Sequence, residues 1–149
     1  MSLFNLITAD GIIISEGKNL SVDDAIDISC NTLIERGKIE KRYIESIKIK
    51  HHEIGPYYVL APKIAMPHAR PEDGVIEGSL QLTIFKHGVD FGDKENGNVY
   101  LSVTLAASDP DSHIHTIMSL SELFQNEADI DEMVNATSIN SIIEILKKY

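Results

Sequence analysis

The chain has 149 residues, 43% of them apolar and 24% charged, and a formal net charge of −10. That size and balance fit one globular domain spanning residues 1–149, and so acidic a chain excludes a nucleic-acid backbone binder while suiting a basic protein partner. A single cysteine excludes an internal disulfide, no basic stretch precedes an apolar run near the start, and no apolar run approaches the ~18 residues of a membrane span, so a cytoplasmic protein without direct membrane insertion is expected.

Residues 11–15 (GIIIS) form a short apolar run between turn formers and read as a strand. Ser21 and Asp24 have the spacing of a helix N-cap and its acidic partner. Val22, Ile26, Ser29, Cys30 and Leu33 follow at helical spacing, and Gly37 ends that helix. Ile39, Tyr43 and Ile47 recur four apart, which predicts a second helix over residues 40–50, with Gly55-Pro56 breaking the pattern. Residues 57–61 and 64–66 read as strand segments joined by a Pro62-Lys63 turn.

The period then changes to two. Leu80, Leu82 and Ile84 alternate with Gln81, Thr83 and Phe85, and Val99, Leu101, Val103 and Leu105 alternate with Tyr100, Ser102 and Thr104, which predicts two more strands. Helical spacing returns at Ile114, Ile117, Leu120 and Phe124, and helices over residues 129–135 and 138–148 close the chain. Helices at both ends and strands between them predict an α/β fold, a mixed β-sheet flanked by helices on both faces.

The candidate chemistry lies in six histidines. His68, in AMPHARPEDG, and His113, in AASDPDSHIH, each follow a strand-like run, and ligand sites in α/β folds gather beyond strand ends. A neutral imidazole with one nitrogen bare and the other donating to a carbonyl can accept a phosphoryl group, and Pro67 stiffens the backbone before His68. His113, near a helix start, is suited to stabilising that group.

Position alone also allows a plain structural role for either ring. Asp109, Asp111, His113 and His115 form a loose metal-like set, but rings two residues apart on a helix face different ways, and an acid before a helix is more simply an N-cap. His51-His52 reads as a solvated helix end, His87 as a turn residue without a role, and Cys30 as core rather than nucleophile.

The stretch GPYYVLAPKIAMPHARPEDGV, residues 55–75, resembles the active-site segment of enzyme IIA domains of the bacterial sugar phosphotransferase system, mannitol/fructose superfamily. The GPYY and AMPHARPE wording is most similar to the ascorbate-type branch. LAASDPDSHIHTIMSLSELFQNEADID and GIIISEGKNLSVDDAI fit the same family, so the likeness covers nearly the whole chain.

The resemblance implies a phosphotransferase with a phosphohistidine intermediate and no cofactor, metal or ATP. His68 would take the phosphoryl group from phospho-HPr and pass it to a cysteine of a IIB component, with the membrane IIC component coupled indirectly. His113 would be the supporting histidine. Mannitol-type members carry an arginine sixteen residues before the active histidine, where this chain has His52. Arg70 and His52 are therefore the candidates for neutralising the phosphate, although Arg70 could equally be a surface residue paired with Glu72. Ile64, Met66, Ile114 and Met118 are candidates for partner docking. A regulatory enzyme IIA-like phosphoprotein, acting on a partner protein rather than a permease, is the alternative, and a hydrolase using the Asp109 to His115 set is a third reading.

Overall fold

Five strands form one mixed sheet in the computed structural model, which describes residues 2–109, 111 and 114–149. They are β1 (Ile12–Ser15), β2 (Val59–Ala61), β3 (Lys63–Ala65), β4 (Ser79–Val89) and β5 (Val99–Ala106), ordered β1-β4-β5-β3-β2. The long alternating strands β4 and β5 pair antiparallel at the centre. β1 lies parallel to β4 and β3 parallel to β5, while short β2 closes one edge antiparallel to β3. The hydrogen-bonding cost of an open edge is thus confined to three- and four-residue strands.

Helices α1 (Val22–Glu35) and α2 (Lys41–Ile54) cover one face. Helices α3 (Ile114–Gln125), α4 (Glu127–Val134) and α5 (Ile139–Leu146) cover the other. The period-two pattern sorts the side chains between them. Leu80, Leu82, Ile84, Leu101 and Val103 join the α3–α5 core, whereas Phe85 and Val99 pack with Ile26, Tyr43 and Ile47 under α1 and α2.

The polar members of the alternation do not face water. Gln81, Thr83, Ser102 and Thr104 are buried beneath α1. Gln81 Oε1 accepts from both the Thr32 amide and hydroxyl, at 2.9 and 2.8 Å. Its Nε2 donates to Ile28 O, Asn31 Oδ1 and Thr83 Oγ1, and Thr104 Oγ1 donates to Ser29 O. Pairing these groups removes the desolvation cost of burial and fixes the register of α1 on the sheet.

Ser21 Oγ accepts the Asp24 amide at 3.1 Å and starts α1. Gly37, at φ 69°, ends it. The Gly37 and Lys38 amides donate to Ile34 O and Leu33 O, a Schellman closure that a residue with a Cβ disfavours.

Two expectations change. α2 continues to Ile54, so His51 and His52 form its last turn, and His51 is half-buried with its Nδ1 2.9 Å from the Tyr58 hydroxyl. The buried Tyr58 needs a partner for its hydroxyl, and His51 is the group within reach. β4 runs on to Val89 through a register irregularity, which places His87 in an exposed strand position rather than a turn. No helix among the described residues is long and apolar enough to cross a membrane.

Candidate active site

Because β3 and β5 are parallel, they deliver their C-terminal ends to the same edge of the sheet. His68 lies three residues beyond β3 at that edge. The chain that leaves β5 there leads to His113, which lies outside the described residues, as do Pro110 and Ser112.

The segment 66–69 has its backbone pinned by elements distant in sequence. The Met66 amide donates to Tyr58 O, and Pro67 O accepts from the Leu105 amide of β5 at 3.0 Å. The Tyr57 hydroxyl donates to His68 O. The Tyr43 hydroxyl, from α2, accepts the Ala69 amide at 3.0 Å and donates to Leu105 O at 2.7 Å. Burial pushes the Tyr57 phenol up to about 12 and raises Tyr43 as well, so both remain protonated donors at neutral pH.

Within this frame His68 Nδ1 stands 2.8 Å from Met66 O. A carbonyl only accepts, so Nδ1 carries the proton and the lone pair belongs to Nε2. Among the described residues no hydrogen-bond partner takes Nε2. The Tyr57 ring packs against the imidazole edge to face, with centroids 5.4 Å apart and planes at 77°. In its neutral form the ring is held in this tautomer, half-buried beyond the strand ends, and is equipped for nucleophilic attack through Nε2.

Arg70 is exposed and points to its own turn. Its Nε and Nη2 donate to the two Asp73 carboxylate oxygens at 3.2 and 3.0 Å, and its backbone amide donates to Asp73 Oδ2. Glu72, the partner suggested by the sequence, is at 4.0 Å, so Asp73 is the principal one. On the 3-10 turn Pro71–Asp73 the Asp73 carboxylate reaches back to the Arg70 amide at the cap, with Pro71 at the first position, and the Asp73 amide donates to Arg70 O. The arginine holds the Asp73 carboxyl below the usual carboxylate range. Gly74 ends the turn at φ 134°, where a Cβ would lie 3.2 Å from the Tyr43 amide nitrogen. The turn therefore sits directly on the start of α2.

His52 is exposed, with Nε2 3.1 Å from Asp23 Oδ1 on α1. Of the docking candidates, Ile114 and Met118 are exposed on α3, with Ile117 beside them, and Met66 is partly buried against the core. Ile64 is 3% exposed and belongs to the core between the sheet and the α3–α5 layer, so it cannot meet a partner. Cys30 is fully buried and its thiol is pushed up to about 12, which suits a core residue. Asp109 Oδ1 accepts the Asp111 amide in a local turn, and among the described residues no group of three or more His, Cys, Asp or Glu side chains could hold a metal ion.

Three features were missed in the sequence reading: the anchoring roles of Tyr43 and Tyr57, and the position of Lys50. The Lys50 ammonium lies 5.0 Å from the Tyr57 ring centroid. Tyr43 was visible there only as an apolar-face residue, and its hydroxyl contacts span 26 and 62 residues.

Residues 5–149 match the family described as "Phosphoenolpyruvate-dependent sugar phosphotransferase system, EIIA 2". The mannitol-specific cryptic phosphotransferase enzyme IIA component of Escherichia coli K12 is 38% identical over 125 residues, 84% of each chain. The ascorbate-specific EIIA component of Salmonella typhimurium is 31% identical over 126 residues, 84% of this chain and 82% of that one. The solution structure of the cryptic mannitol-specific enzyme IIA from Escherichia coli superposes with a TM-score of 0.90 at 34% identity, covering all of both chains. Enzyme IIA of the mannitol system, solved in complex with phosphorylated enzyme IIB from Escherichia coli, gives a TM-score of 0.78 at 25% identity over 95% of this chain and 96% of that one. The chain belongs to the enzyme IIA family of the phosphoenolpyruvate-dependent sugar phosphotransferase system and is a phosphotransferase.

Proposed function

We propose that His68 is the phosphoryl carrier of this enzyme IIA, a single domain over residues 1–149 acting in the cytoplasm. The Nε2 lone pair attacks the phosphorus of phospho-HPr and forms a new P–N bond. The P–N bond of the donor breaks, and its electron pair returns to the donor imidazole. The second transfer reverses these roles, with a cysteine thiolate of a IIB component attacking and His68 leaving as the neutral ring it was. The phosphorylated IIB then serves uptake of an ascorbate-like or mannitol-like sugar through the membrane IIC component.

The observation that carries this reading is the 2.8 Å contact of His68 Nδ1 with Met66 O, which in the neutral ring leaves the lone pair on Nε2, aimed by a rigid backbone. The solved complex of a related enzyme IIA with phosphorylated IIB supports the choice of acceptor. His113 is proposed as the second histidine beside the phosphoryl group, and Ile114 and Met118 as part of the docking surface around it.

Incubation with phosphoenolpyruvate, enzyme I and HPr should add one acid-labile phosphoryl group, read by intact-protein mass spectrometry, and His68→Ala should take none. Label that persists in His68→Ala would overturn the assignment.

A further inference from the structure

A phosphoryl group on Nε2 is a dianion on a chain that already carries −10, so a local cation has to offset it. Several basic groups of α2 and of the turn after His68 are already committed. Arg70 has both ends of its fork on Asp73, with Glu72 nearby. His52 is paired with Asp23, and Lys48 with Asp27 at 2.8 Å.

Lys50 differs from these. It is exposed on α2, and among the described residues no carboxylate lies within ion-pair distance of its ammonium. Its side chain rests instead on the Tyr57 ring, and Tyr57 is the residue whose ring abuts His68 and whose hydroxyl holds the His68 carbonyl. Lys50 also lines an open cavity of about 350 Å³ together with Glu53 of its own helix and with Ala69, Arg70 and Asp73 from the segment that follows His68.

From this placement we propose that Lys50 is the cation that neutralises the phosphoryl group on His68. The inference rests on the reading of His68 as the phosphoryl carrier. A cation–π contact at an exposed site is weak, so the ammonium can leave the Tyr57 face for a dianion without a competing ion pair to break. Lys50 forms and breaks no covalent bond. It stabilises charge in the phosphorylated state and in the transfer states on either side.

The test uses the full chain with Lys50→Met, which keeps the aliphatic stem, and Lys50→Arg, which keeps the charge. Transfer from phospho-HPr should slow by roughly tenfold in Lys50→Met, less than for a fully desolvated donor because Lys50 is exposed. The phosphorus NMR titration of the phosphohistidine should move to higher pH, because the dianion has lost its counter-charge. Lys50→Arg should restore both. Wild-type rate and an unmoved titration in Lys50→Met, with the label on His68, would overturn this inference and leave the carrier reading intact. No label on wild-type His68 would overturn the carrier reading, and this inference with it.

Discussion

The segments 66–69 and 70–73 are consecutive, yet they are held in opposite ways. In the first, the backbone is bonded to the 57–58 stretch, to α2 across 26 residues through Ala69 and Tyr43, and to β5 through Pro67 O and the Leu105 amide. In the second, Arg70 is bonded to Asp73, three residues away and exposed, and a single long-range bond, from Arg42 Nη1 to Glu72 O at 2.8 Å, ties the turn to α2. The nucleophile is therefore fixed by the whole fold, whereas the arginine beside it is fixed by its own turn. A residue that must be aimed to within a fraction of an ångström gains from long-range anchoring, because local turns deform easily.

Tyr43→Phe attacks the first segment most directly. It leaves the half-buried Ala69 amide and the buried Leu105 carbonyl without their partner, and should cost about 1–3 kcal/mol in chemical denaturation. Labelling at His68 should slow as well, because the frame loosens. A loss within experimental error would mean that the hydroxyl is dispensable.

Asp73→Ala tests the second segment and should do much less. It frees an exposed arginine and one amide, so the loss of stability should be well below that of Tyr43→Phe, with His68 still labelled. A loss of labelling as large as that of Tyr43→Phe would erase the contrast.

The smallest expected effect is a pH dependence from His51 at the foot of the same frame. Burial, and then the neighbouring His52, lower its pKa below the ordinary 6.5. The unfolded chain therefore binds the proton more readily. The contribution of His51 is present above about pH 6.5 and is lost as pH falls through the lower folded value. Protonation also removes the Nδ1 acceptor facing Tyr58. His51→Asn should flatten this part of the stability-against-pH curve, and an unchanged slope would show that His51 titrates as a free ring.

The sequence made much of this legible where the signals are local. Ser21, Asp24 and Gly37 bracket α1, alternation marks β4 and β5, and the wording around His68 marks the family. It is silent on the fate of Gln81, Thr83, Ser102 and Thr104, because alternation reports two faces but not what covers them. Here α1 brings its own polar groups to the buried side. Ile64 failed as a docking residue for a related reason: a strand followed by a site has one side in the core, and the pattern does not say which residue faces it. The sequence pointed to Glu72 as the partner of Arg70, and it is the turn that brings the guanidinium to Asp73 instead. Lys50 was not readable, because its place beside Tyr57 depends on how α2 meets the 57–58 stretch.

The central claim is that the fold holds the neutral His68 ring in the tautomer that leaves Nε2 bare. Long-range proton–nitrogen correlation of the imidazole at mildly alkaline pH tests it directly. The account predicts a proton on Nδ1 and an unprotonated Nε2 in the wild type. A ring protonated on Nε2, or an even mixture of tautomers, would contradict it.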